Sequence, residues 1–145
     1  MSPVVSGLAA LRVLSVLFGV FFVFMGASKF GWLTDSSALV AELQGWRASA
    51  PPTSRWYLET IAIPGSPIFS PLVLLSELTA GVALIAGFRV RLTALLGLLM
   101  VLNFHFASGL IFTYGYLTNG YGPPVVGGLL ALAIGGARLP FGVSK

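Results

Sequence analysis

Residues 11–30 read LRVLSVLFGVFFVFMGASKF, an apolar run charged only at Arg12 and Lys29. A run of roughly 20 such residues crosses a ~30 Å hydrocarbon core as a helix, because helical backbone hydrogen bonds close within the segment. Three more apolar blocks follow at residues 71–88, 92–112 and 120–138. The last is the weakest: PVVGGLLALAIGGA is short, and crossing requires snorkelling by Arg138, local thinning, or a start near Leu117. Four blocks predict an all-α integral membrane four-helix bundle, a single transmembrane domain over residues 1–145. Composition agrees, since 57% hydrophobic and 8% charged residues with a mean hydropathy of +0.96 cannot cover a water-facing surface. A cleaved signal peptide competes for the first block. The length of the run, and Met25 where a small residue is wanted, argue against it.

The basic residues give a direction. If the blocks alternate, Arg12, Arg89, Arg91, Arg138 and Lys145 fall on one side, which should be cytoplasmic along with both termini. This arrangement explains the net charge of +4 without nucleic acid. Residues 31–70 then form an outer loop carrying Lys29 at its edge with Arg47 and Arg55, balanced by Asp35, Glu42 and Glu59. This loop is expected to hold short amphipathic helices. Thr34 or Asp35 would cap one with Leu39, Leu43 and Trp46 on its apolar face, and a second would begin near Thr53 and bring Trp56 to the bilayer surface. The stretch TYGYLTNGYGPP forms the other outer connection, with its tyrosines at headgroup level.

Helical spacing sorts the spans into faces. Arg12, Ser15, Gly19, Phe22, Gly26 and Lys29 share one face of the first, and its small residues admit a neighbouring helix. Glu77, Gly81, Leu84, Phe88 and Arg91 form a similar stripe in the second. Glu77 lies about 9 Å inward of Pro71, and a carboxylate there costs at least ~2.5 kcal/mol unless it is paired, neutral or facing water. Lys29 is its obvious partner. His105 sits about 10 Å in from the same outer face, with Ser108 on its side and Asn103 roughly 200° around the helix. In the fourth block, Gly127, Ala131 and Gly135 suggest a close-packing face. Lys29, Glu77 and His105 are therefore the candidate catalytic cluster, with Arg47 and Arg55 above it as groups that would attract an anionic substrate.

The chain has no cysteine, which excludes disulfides, thiolate metal sites and dithiol chemistry. One histidine cannot supply paired axial haem ligands, although haem shared with another subunit stays open. No metal-ligand cluster, phosphate loop or nucleophile triad is visible.

The two stripes, LRVLSVLFGVFFVFMGASKF with Arg12, Gly19, Gly26, Lys29 and Phe30, and ELTAGVALIAGFRVRLTAL with Glu77, Gly81, Leu84, Gly87 and Arg91, resemble the DoxX family of small four-span membrane proteins. The resemblance implies a four-helix bundle in a bacterial-type cytoplasmic (inner) membrane and an association with redox chemistry. The related DoxD subunit belongs to a thiosulfate:quinone oxidoreductase. The long, tryptophan-rich outer segment is a departure from the family pattern. A lipid-soluble quinone needs an apolar slot with groups that bond its oxygens and exchange protons, and Glu77 and His105 suit that work. A membrane quinone is thus the expected non-covalent cofactor, the bilayer the first partner, and a redox protein or a second copy of the chain a further one. The alternative is a non-catalytic scaffold or anchor subunit that recruits a redox partner. A solute or proton carrier is the third reading, and the single acid and histidine make a thin path for it.

Overall fold

The computed structural model describes residues 3–143, and every regular element in them is helical. Lys145, one of the basic residues used for orientation, lies outside the described residues. Helix α1 (Pro3–Ala27) leads through a 3-10 turn (Phe30–Leu33) to α2 (Ser37–Ser49) and α3 (Pro52–Tyr57), which runs on into a π-turn (Leu58–Ala62). Then come α4 (Ser66–Ala86), α5 (Val90–Ala107), two 3-10 turns and α6 (Pro123–Gly135). Three helices are long and apolar enough to cross a membrane: Val5–Ala27, Ser66–Ala86 and Val90–Ala107. Helix α6 is apolar but shorter, spanning about 19 Å at the α-helical rise.

Several helix limits differ from the apolar blocks. Helix α4 begins at Ser66 and runs through Pro71, because a proline near the first turns forfeits only one backbone hydrogen bond. It stops at Ala86, where Gly87 takes φ +70°, so Phe88 and Arg91 leave the stripe that Glu77, Gly81 and Leu84 continue. Helix α5 ends at Ala107, short of Phe112, since Gly109 adopts φ +74° with Pro51 packed where a side chain would sit.

Most of the α1 stripe faces α4, while Phe22 reaches Gly97 of α5. At one end Arg12 donates to the carbonyls of Leu84 (3.0 Å) and Ile85 (2.6 Å), and Ser15 donates to Leu84 at 2.8 Å. These carbonyls lie in the last turn of α4, where helical partners run out, and Leu84 O also accepts the Gly87 N–H at 3.3 Å. At the crossing, Gly19 and Gly81 bring the backbones together: a Cβ on either would lie 2.7–2.8 Å from the other's carbonyl oxygen. Gly26 lies against Leu78, and Lys29 reaches Glu77.

Phe22, Leu84, Ala94, Leu98, Leu129 and Leu132 form the core shared by α1, α4, α5 and α6. The expected small face of α6 is displaced. Gly127 has open space around it and Ala131 is exposed, while Gly128 packs on Phe18 and Gly135 on Leu11. A glycine repeat alone does not fix which side of a uniformly apolar helix turns inward.

A second core lies over the end of α5, where Leu39, Leu43, Ala50, Leu58 and Ala62 meet Ala107. Asp35 lies just ahead of α2, whose N-cap is Ser36, and its carboxylate accepts the Ser37 backbone N–H and hydroxyl, both at 2.8 Å. Those bonds hold its pKa below the usual 3.8, the backbone bond most strongly. The α2–α3 segment is therefore docked onto the helices below it, with Trp56 left exposed.

A buried ion pair beside an apolar cavity

Helix α1 ends at Ala27, and Lys29 stands just past it, its N–H bonded to the Gly26 carbonyl at 2.9 Å and its side chain turned inward to Glu77. Its Nζ lies 3.0 and 2.8 Å from the two oxygens of Glu77 and 2.9 Å from the Met25 carbonyl. The Trp32 ring is 5.6 Å away. The Glu77 side chain is 4% exposed and that of Lys29 14%, so the pair is shielded from solvent. The two carboxylate oxygens share one side of the ammonium, and the Met25 carbonyl accepts on another.

His105 is buried in the last turn of α5. Its Nδ1 lies 3.3 Å from the Tyr116 hydroxyl, and the two rings meet edge to face at 5.3 Å. Ser108 lies on the same side and donates to the His105 carbonyl. Lys29, Glu77 and His105 all line one cavity of about 720 Å³, walled by Phe21, Phe22, Met100 and Phe104 and bounded outward by α2. The three residues singled out in the sequence thus share a space, although the polar contacts join Lys29 to Glu77 and leave His105 to Tyr116.

The two outer arginines are elsewhere. Arg47 pairs with Glu59 at 3.7 Å in an exposed contact, Arg55 donates to the Ala50 carbonyl, and neither lines this cavity. The outer charge that does line it is Glu42.

Asn103 faces away from His105, as the helical turn requires, and opens on a second cavity of about 700 Å³ between α4 and α5. There its Oδ1 accepts from the Tyr57 hydroxyl at 2.8 Å. Trp46 and Phe104, whose rings are 6.4 Å apart, border both cavities.

Sequence reasoning missed Tyr116 and the rim position of Glu42. Tyr116 sits among several tyrosines in an aperiodic loop, where spacing carries no facing information. Glu42 lies one residue from Leu43 on a helix whose buried side was legible, but which part of its rim overhangs a cavity depends on docking.

Among the described residues no group of three His, Cys, Asp or Glu side chains could hold a metal ion. A paired carboxylate and an imidazole, both groups that can hydrogen-bond and hold a proton, border a space whose walls are mostly apolar.

Apolar helices of this length, packed through small residues around a shielded ion pair, define a helical membrane protein. The DoxX family model matches residues 7–110, and the chain belongs to the DoxX family. No curated protein and no solved structure gives a significant match.

Proposed function

We propose that this chain is the membrane component of a quinone-linked redox system, holding the quinone ring in the cavity beside Lys29 and Glu77. The observation that carries the reading is the meeting of Lys29, Glu77 and His105, from three separate stretches of chain, at one apolar-walled cavity of about 720 Å³. That combination matches what a lipid-soluble ring with two oxygens requires. Glu77 and His105 exchange protons with the ring oxygens, and Lys29 holds Glu77 in place.

The four apolar helices form a transmembrane bundle in a bacterial-type cytoplasmic membrane, with α2 and α3 outside and both termini inside. Arg12, Arg89 and Arg138 gather at the end of α4 beside Gly87, and Arg91 donates to the Ala133 carbonyl nearby, which supports that direction. A thiosulfate-like anionic donor draws no support from the cavity, because its rim carries Glu42 and not Arg47 or Arg55.

A scaffold role is the second reading, favoured by the way Lys29 satisfies Glu77 across the α1–α4 contact. Purification of the chain in mild detergent separates the two. Quinone that stays with the native chain and is lost from a folded Glu77→Gln variant supports the redox site. Absence of quinone from the native chain, with a variant that falls apart, supports the scaffold.

A further inference from the structure

We propose that the cleft between the α4–α5 turn and the chain leaving α6 is a lipid site that takes the phosphodiester headgroup of an anionic phospholipid. The inference is independent of the quinone reading and concerns the end of the bundle opposite the Lys29–Glu77 pair.

The fold assembles this cleft from two distant stretches. Gly87 closes α4 at φ +70°, Gly142 packs where its side chain would stand, and the Val143 N–H donates to the Ala86 carbonyl at 3.1 Å. These contacts bring the chain after α6 back onto the α4–α5 turn. The cleft between them measures about 200 Å³, with Gly87 and Arg89 on one wall and Gly136 and Arg138 on the other. It is smaller than the roughly 300–1,000 Å³ of sites for drug-sized ligands and suits a headgroup.

Charge identifies the occupant. Arg12 and Arg91 spend N–H groups on carbonyls, Arg12 on Leu84 and Ile85, Arg91 on Ala133. Arg89 and Arg138 are exposed and, among the described residues, make no hydrogen bond or ion pair; Arg89 has only the Phe88 ring, at 6.0 Å. Two guanidinium groups thus border one cleft with their donor forks unspent. Arg12 adds a third positive charge, its Nη1 close to Gly87. The Asp and Glu side chains are all engaged elsewhere: Asp35 accepts from Ser37, Glu42 lines the cavity at the other end, Glu59 meets Arg47 and Glu77 meets Lys29. Such a cleft receives an anion, and a guanidinium bonds phosphate oxygens in pairs.

Placement makes that anion a lipid. Arg89 stands between the ends of two spans, Ala86 and Val90, at headgroup depth. Phe88 beside Arg89 and Phe141 beside Gly142 are exposed there and offer apolar surface to the glycerol and acyl portions. A zwitterionic headgroup brings its own cation, for which the cleft has no carboxylate.

The test offers the full chain, in mixed micelles, phosphatidylglycerol and phosphatidylcholine with the same acyl chains, and titrates retained lipid by native mass spectrometry. The native chain should retain phosphatidylglycerol in preference. An arginine at an anionic membrane surface contributes about fivefold in affinity, so Arg89→Gln with Arg138→Gln should weaken phosphatidylglycerol binding roughly 25-fold, and each single variant about fivefold. Arg47→Gln with Arg55→Gln removes the same charge from the other end and should leave binding unchanged. Helical circular dichroism checks each fold, and the single variants carry the test if the pair does not fold. Equal retention of the two lipids by the native chain overturns the inference. Equal weakening by both glutamine pairs marks a diffuse attraction and also overturns it. Displacement of phosphatidylglycerol by inorganic phosphate at matched concentration assigns the cleft to a free anion and overturns the lipid site.

Discussion

Substituting Gly81 by alanine tests the packing that holds the ion pair in place. A Cβ at Gly81 would lie 2.7 Å from the Val23 backbone nitrogen and 2.8 Å from the Gly19 carbonyl oxygen, with Val23 Cγ2 at 2.7 Å. Ordinary contacts begin about 0.7 Å further out, and two of the three atoms are backbone, so α1 and α4 must separate. Overpacking of this kind costs about 1–3 kcal/mol, opposed by about 1 kcal/mol of helix propensity gained on leaving glycine. A net loss of up to about 2 kcal/mol follows. Gly45→Ala in α2 is the control, because its Cβ meets nothing within 4 Å and only the propensity gain applies. Reversible unfolding in mixed detergent, read by helical circular dichroism, should place Gly81→Ala below the native chain and Gly45→Ala at or above it. A Gly81→Ala protein as stable as Gly45→Ala would refute the close crossing.

Three further outcomes are expected. Lys29→Met alone leaves the Glu77 carboxylate shielded without its partner and should lower unfolding stability by about 3–5 kcal/mol, while adding Glu77→Gln recovers much of the loss; a double-mutant cycle with no coupling would contradict the pair. Arg12→Lys keeps the basic charge that orients the first span but cannot bridge the Leu84 and Ile85 carbonyls in the same way, so stability should fall by about 1 kcal/mol with topology, read by protease accessibility, unchanged. The Asp35 carboxylate has a depressed pKa, so the support it gives to α2 is present above the ordinary value of 3.8 and is lost as pH falls through the lowered one. Amide exchange at the start of α2 should therefore quicken in that acid range, and Asp35→Asn should remove the pH dependence.

The local order of the chain was legible because it depends on neighbours in sequence. An apolar run of bilayer length has to close its own hydrogen bonds, and helical spacing then places Arg12, Ser15, Gly19, Gly26 and Lys29 on one side, the side found against α4. The depth argument made Lys29 the natural partner for Glu77, because a carboxylate in an apolar setting needs a nearby opposite charge. The same reasoning separated Asn103 from His105.

Docking decided the remainder. Arg47 and Arg55 read as attractors of an anionic substrate above the cluster, yet their positions depend on how α2 and α3 settle on α5, and that docking gives the rim to Glu42. Tyr116 reaches His105 only because the loop after α5 folds back over it. Helix α6, apolar all round, carries too little polarity to show its inward side, so Gly128 and not Gly127 makes the contact. Sequence determined which faces could pair and which charge had to be neutralised, since both follow from helical repeat and solvation. Which cavity those pairs enclose, and which hydrogen-bonding groups remain for a ligand, was fixed by the tertiary structure, because both depend on atoms brought together from distant parts of the chain.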